Sequence, residues 1–467
     1  MIRICGYNNV MKIDPGRITN LNQRPVRADG ECVLYWMQAD QRAQDNWALL
    51  RAVELGNRLK LPVIVGFVLY KTPKNAFLRH YDFMLRGLAE TALTLRKNRI
   101  GFAMIAGEPV GTLVEFSREL KPAIVVTDQS YLKRGKHLRT EVANQLDTRL
   151  EAVDAATIVP PSLAYPKAAY GAYLLRPKLR AFRERFLTDF PSLMVDTPWK
   201  GEILNAIDDQ NIEAMLLKVR PDDSVPIAPL PPGSMAAHTA MNEFIEQGFE
   251  QYATQRNDPT VQATSRLSAY LRFGQLSSQR VAWEVLNSEA YEQNPDAGEG
   301  FLDELITWRE LAVNVVLYNP HYSSYEGIPA WAQRSLENHA ADTREFLYTV
   351  AEFEAANTHD DLWNAAQMEM VRTGRMHGYM RMYWAKKVLE WSRSAAEAIQ
   401  TCIYLNDKYF LDGRSANGYV GILWAIGGSQ DRPWFDRPVY GQVRYMSYGG
   451  AKSKFKIPAY VDWVSSL

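Results

Sequence analysis

Along the first third of the chain, short runs of β-branched and apolar residues alternate with stretches whose apolar positions recur every three or four residues. The runs 32–38, 63–69, 102–106 and 123–127 predict strands, and the stretches 42–59, 79–97, 111–120 and 137–150 predict the helices between them. Strands apolar on both faces imply a doubly wound α/β domain, a parallel sheet covered by helices on either side. Composition then shifts to proline, alanine and tyrosine over 159–173, which reads as an interdomain connection, and a second proline-rich loop follows at 225–234. Beyond it helical periodicity dominates, at 237–256, 279–288, 300–318, 362–371, 379–391 and 395–406. The expected organisation is an α/β domain over 1–160, a linker with the first helices over 161–235, and an all-α domain over 236–467. No solenoid-length repeat is present, and Gly107 and Gly111 do not form a dinucleotide fingerprint.

Composition narrows the class. The 467 residues, 47% of them apolar or aromatic, suffice for two domains with cores. Basic and acidic residues each total 53, so a polyanionic partner would have to meet a local patch. The three cysteines, Cys5, Cys32 and Cys402, are odd in number and lack metal-ligand spacing, which argues against a disulfide framework and against a zinc site. No apolar run is long enough to cross a bilayer and the first residues lack a signal-peptide core, so a cytoplasmic protein is expected.

Candidate chemistry lies mainly in the helical part. The run 374–391 carries Arg381, Tyr383, Trp384 and Trp391 on one helix. Its two indoles are seven residues apart, hence on nearly one face and roughly 10 Å apart along the axis, stacked along a rod. The same stripe equally suits a core helix. Thr264, Ser265 and Ser268 gather hydroxyls before a helix, where side-chain oxygens and free N–H groups suit either a cap or a phosphate. Arg381 and Asp412 are expected to pair, because either alone would be an unpaired interior charge.

The run 374–391, together with Leu405-Asn406-Asp407-Lys408-Tyr409-Phe410-Leu411-Asp412-Gly413, resembles the class II cyclobutane pyrimidine dimer DNA photolyases, and the similarity extends from about Tyr35 to Met446. The resemblance implies light-driven repair of double-stranded DNA containing such dimers, by electron transfer from reduced FAD held in the helical domain. It assigns Tyr252, Thr264, Ser265, Leu267, Ser268, Arg381, Asn406 and Asp412 to the cofactor, with Asn406 facing the flavin N5. Trp384, Trp363 and Trp391 become the chain that reduces the flavin, with Tyr383 close by. Glu304, Trp308, Met382 and Trp424 become the lesion pocket, joined by Asn406 in catalysis. Glu304 and Trp308, four apart, would be neighbours on one helix face. Arg432, Trp434 and Arg444 become DNA contacts, within a segment that fills the gap left by the extruded lesion. One departure stands out: Val313 occupies a commonly acidic position, although Asn314 is retained.

No metal and no general acid or nucleophile is needed for such chemistry, and His377 is expected to be structural. A photoreceptor of the cryptochrome kind, binding FAD without repair, is the alternative; its usual long tail is not expected, as the chain stops at Leu467. An enzyme for (6-4) photoproducts would want a histidine facing the lesion, and none matches. A deazaflavin-type antenna in the α/β domain is a further expectation without distinctive residues. The resemblance implies a monomer, and a protein that repairs DNA is expected on the nucleoid when bound to it.

Overall fold

The computed structural model describes residues 13–71, 77–201, 207–208 and 210–467. Cys5 lies outside them, while Cys32 and Cys402 are buried free thiols. Six strands form one sheet: β1 (Ile18–Asn20), β2 (Cys32–Met37), β3 (Val63–Leu69), β4 (Gly101–Ala106), β5 (Pro122–Asp128) and β6 (Leu150–Val153). Their order is β1-β6-β5-β2-β3-β4. All neighbours run parallel except β1, which pairs antiparallel with β6 at the edge. Every residue of β2, β3 and β5 is buried. Val33, Tyr35 and Met37 pack on the helices Trp47–Leu59 and Leu78–Lys97, while Cys32, Leu34 and Trp36 pack on Pro109–Leu120 and Lys133–Gln145. Alternate side chains of one strand thus enter two cores, which is why both faces read as apolar.

Two elements depart from their expected bounds for visible reasons. The first helix begins at Trp47 rather than Arg42, because Asn46 caps it by accepting from Ala48 N and Leu49 N. Arg42 instead buries its guanidinium against Asp40 and the carbonyls of Gly274 and Ala155, at 2.7, 3.0 and 3.0 Å. The stretch expected as a helix over 137–150 ends at Gln145, and Leu150 opens β6, whose register pairs Leu150 with Val125. The strands β1 and β6, three and four residues long, went unread because so short a run shows no period.

Beyond the sheet the chain is helical. Two expected single helices are interrupted by wide π-type turns, at Phe244–Gly248 and at Asp303–Trp308. Such a turn holds an extra residue without ending the helix, so apolar spacing conceals it. The helix Ala416–Gly427 packs against Arg309–Tyr318, Gly378–Trp391 and Ala395–Tyr409. Among the described residues, no helix is long and apolar enough to cross a membrane.

At the end of β5, the buried Asp128 carboxylate accepts from the Tyr35 hydroxyl and from the N–H groups of Gln38 and Ala39, both at 2.6 Å. It ties β5 to the turn leaving β2, whose N–H groups have no ladder partner there. Asp128→Ala should therefore lower the unfolding free energy by about 3 kcal/mol, and Tyr35→Phe by only about 1 kcal/mol, in urea titrations.

Candidate functional site

A cavity of about 840 Å³ opens among the helices. The helix Gly378–Trp391 forms its floor. That helix starts where it does because Gly374, at φ +72°, ends the preceding helix and His377 caps the new one, Nδ1 accepting from Tyr379 N. His377 is thus structural, as expected. Gly378, Arg381, Met382 and Trp384 line the cavity from this helix, and Gly418, Gly421 and Trp424 line it from Ala416–Gly427. A Cβ on Gly378 or Gly421 would meet no atom within 4 Å. Small residues at these places leave the space that a bound molecule requires.

The wide turn Asp303–Trp308 brings Glu304 and Trp308 to the same cavity. Arg176 pins it, donating from Nε and Nη2 to the Asp303 carboxylate at 2.6 and 2.8 Å. The indoles of Trp308 and Trp424 stack at 4.9 Å between centroids and 13° between planes. Trp424 Nε1 and Gln430 Oε1 are buried there with no hydrogen-bond partner among the described residues. Partial burial raises the pKa of Glu304, while the Arg256 cation pulls the other way. Glu304, Trp308, Met382 and Trp424 therefore share one cavity.

On another side, Arg381 Nη2 donates to both Asp412 oxygens, at 2.7 and 2.8 Å, and its guanidinium lies 3.8 Å from the Phe410 ring centroid. Asn406 reaches the cavity and donates from Nδ2 to Asp407 Oδ1 at 2.8 Å. Because the Asn406 N–H₂ group is engaged behind it, its carbonyl oxygen remains available as an acceptor. Tyr252 and Thr264 line the cavity, whereas Leu267 is buried in the core, and Ser265 stands beside Thr264 without lining it. Ser268 and Asp412 belong to a second cavity.

The three indoles do not stack along one helix. Trp384, on the cavity wall, is parallel to Trp363 at 6.4 Å and 8°, and Trp363 meets Trp391 at 6.0 Å and 67°. Trp363 comes from the helix Asp361–Thr373 and donates from Nε1 to the carbonyl of Trp384 at 3.0 Å. The three rings run between two helices, away from the cavity. The Tyr383 hydroxyl donates to Asp360 at 2.5 Å, and burial raises its pKa far above the usual phenol range.

The second cavity, of about 730 Å³, lies at the carboxyl ends of β2 and β5, where the chain reverses its direction of travel across the sheet. Such a crevice is where open α/β sheets bind ligands. Trp36 Nε1, Asp40 Oδ2, His80 Nδ1 and Arg139 Nη2 are buried here with no hydrogen-bond partner among the described residues. His80 Nε2 lies 2.9 Å from the carbonyl of Phe410, and burial keeps the ring neutral. Val313 also lines this cavity; Asn314 instead holds the connecting loop, accepting from Ala169 N and donating to the carbonyls of Tyr165 and Lys167.

Arg432, Trp434 and Arg444 lie on the loop 430–444 at the rim. Trp434 and Arg444 line the main cavity, Arg432 is exposed, and Arg444 stands 5.6 Å from the Trp434 ring centroid. Sequence reasoning missed Arg256 and Lys386 on the cavity wall, and Phe435, which is 80% exposed beside Trp434; Lys454, in the basic tail 452–456, also lines the cavity. The three-residue spacing of Gly418, Gly421 and Trp424 was a readable sign of an open helix face. Lys386 gave none.

The DNA photolyase family model matches residues 33–195. The chain is 39% identical to a deoxyribodipyrimidine photo-lyase of Arabidopsis thaliana over 98% of its own length and 94% of that protein. Its fold matches a class III photolyase from Agrobacterium tumefaciens (TM-score 0.69, 18% identity, 94% of this chain and 87% of the other). It also matches a Synechocystis cryptochrome (TM-score 0.70, 15% identity, 92% and 87%).

The Arg381–Asp412 pair is tested without any ligand. Arg381→Met strands a half-buried carboxylate and should cost about 2 kcal/mol of stability. Combined with Asp412→Asn, the loss in urea unfolding should fall short of the sum of the two single losses.

Proposed function

This chain belongs to the DNA photolyase family, and we propose that it splits cyclobutane pyrimidine dimers in duplex DNA under light, with an electron from reduced FAD. It is a light-dependent DNA-repair lyase and a flavoprotein that binds FAD and UV-damaged DNA. The observation that carries the finer reading is one cavity holding both halves of the task. Arg381, Asn406, the Trp308–Trp424 stack and Glu304 all line it, and Trp384 on its wall is parallel to Trp363.

The residues present fit the cofactor. The volume, the open Cβ positions of Gly378 and Gly421, the Arg381 cation and the free carbonyl of Asn406 suit a flavin, and Thr264 offers a hydroxyl. We assign Tyr252, Thr264, Arg381 and Asn406 to holding it, with Asp412 behind Arg381, and do not retain Ser265, Leu267 and Ser268 as direct contacts. When bound, reduced FAD would supply the light-driven one-electron chemistry that opens the cyclobutane ring.

The chain's own residues do the rest. Arg381 would offer positive charge to a bound flavin, which would favour an anionic reduced state. Trp308 and Trp424 offer stacking worth roughly 1–3 kcal/mol per base, which offsets the few kcal/mol needed to extrude a dimer already poorly stacked. Glu304, its pKa raised by burial, is suited to hydrogen-bond a base edge. Trp384, Trp363 and Trp391 replace one long electron transfer with short ones, ring to ring. A photoreceptor would need this relay but not the Trp308–Trp424 stack beside Glu304, so the stack favours repair.

The unpartnered donors and acceptors around the second cavity support a planar, polar antenna of the deazaflavin type there. On this reading residues 1–160 are the antenna-type domain, 161–235 the linker with the first helices, and 236–467 the catalytic and DNA-binding domain. The protein acts as a monomer in the cytoplasm, on the nucleoid while DNA is bound. Loop 430–444 and Lys454 give the local basic patch that the even charge balance requires.

Under blue light the FAD-loaded protein should restore a dimer-containing oligonucleotide, measured by chromatography of the strand; no restoration sinks the proposal. Trp384→Phe should abolish light-driven reduction of bound FAD, read as persisting oxidised absorbance, while chemically reduced protein still repairs. Arg432→Ala and Arg444→Ala should each weaken binding of damaged duplex and lower the slope of log affinity against log salt by about 1, in anisotropy titrations.

A further inference from the structure

The loop 430–444 has no regular secondary structure, yet it is folded back on itself. Trp434 N donates to the Gln442 carbonyl at 2.7 Å, and Arg437 and Gly441 exchange N–H···O bonds at 3.1 and 2.8 Å. Its turn places Val439 at φ +68°. A β-branched residue rarely adopts that left-handed conformation, so contacts from outside the loop must hold it.

Those contacts come from the end of the helix Ala330–Asn338 and the residues after it. Gln442 N donates to Ser335 Oγ and Val439 N donates to Asp342 Oδ2, both at 2.8 Å. His339 sits between the two walls, Nδ1 2.6 Å from Asp342 Oδ2 and Nε2 3.1 Å from Asp436 Oδ2. A neutral imidazole has one N–H and one lone pair, so one of these contacts would set a lone pair against a carboxylate. Only the imidazolium donates to both.

We propose that His339 is a positioning residue for DNA binding: its protonated ring clips the Asp436 arm of the loop to Asp342 and thereby sets Trp434 and Phe435 toward the duplex. This rests on the reading of loop 430–444 as a DNA contact. The charged groups facing the ring are Asp342 from its own stretch, with Arg344 behind it, and Asp436 from the loop. Arg437, next to Asp436, turns its guanidinium onto the Tyr445 ring, 3.3 Å from its centroid. The hydrogen bond to Asp342, then the charge of Asp436, raise the imidazole above its ordinary 6.5. A raised folded value means that the clip is complete below that pH and is lost as pH rises through the raised value. Asp342 is held below the usual carboxylate range, first by Val439 N–H and then by His339, and stays ionised throughout.

The other end of the loop is held by Lys386, which donates to the carbonyls of Arg444 and, at 2.8 Å, Ala425. Burial lowers the Lys386 pKa to about 8. Its titration is common to wild type and His339 variants and cancels in their comparison.

The test is anisotropy of a dimer-containing duplex with the FAD-loaded protein at constant ionic strength, from about pH 6 to about pH 8.5. Across that range wild type should lose roughly two- to fivefold more affinity than His339→Gln, the span of an exposed ion pair. Asp436→Asn should flatten the profile equally, and the double variant should add nothing. His339→Arg, permanently charged, should bind tightly at both ends. A His339→Gln profile superimposable on wild type overturns the clip. If Trp434→Ala instead leaves affinity unchanged, the loop does not contact DNA, and the underlying reading fails separately.

Discussion

Buried cations satisfied by backbone carbonyls decide how the parts of this molecule meet. Arg17 donates to the carbonyls of Asp154, Thr157, Ile158 and Phe186 and to the Gln279 side chain. Arg79 donates to those of Pro226, Met370, Val371 and Tyr409. Arg42 and Lys386 follow the same plan. Taking such a group out of water costs several kcal/mol, which only well-aimed dipoles recover. Each cation therefore accepts one arrangement of its neighbours, because a slipped helix would leave a charge uncompensated.

The cavity inherits this constraint. Arg79 fastens the helix Leu78–Lys97 of the sheet layer to the ends of Asp361–Thr373 and Ala395–Tyr409, which carry Trp363 and Asn406. Lys386 fastens the floor helix to the helix bearing Trp424 and to the rim loop. Two indoles parallel at 6.4 Å and a stacked pair at 4.9 Å need such fixed frames, since neither contact tolerates a helix sliding by one turn. Arg381 opens on the main cavity and its partner Asp412 on the second, so one ion pair forms part of the wall between them.

Much of this was legible in the residues. Strands β2 to β5 stand within a residue or two of where their apolar runs put them, because burial on both faces leaves no polar position to blur the edges. The helix Gly378–Trp391 and the Arg381–Asp412 pair were equally readable, the first from its period and the second from the cost of a lone buried charge. The strand β6 and the wide turn at Asp303–Trp308 were not: one is too short to show a period, and the other shifts phase by a single residue inside a run that stays helical.

Sequence by itself determined which runs are buried, on both faces in β2, β3 and β5, and which residue types were available for stacking, charge pairing and hydrogen bonding. Tertiary structure alone decided that Trp363 stands between Trp384 and Trp391, that Ser265 and Leu267 leave the cavity wall, and that Lys386 anchors a loop far along the chain. The reason is physical. A side chain's periodicity records its own burial, but its partner here is often a backbone carbonyl, which every residue possesses and no residue letter announces.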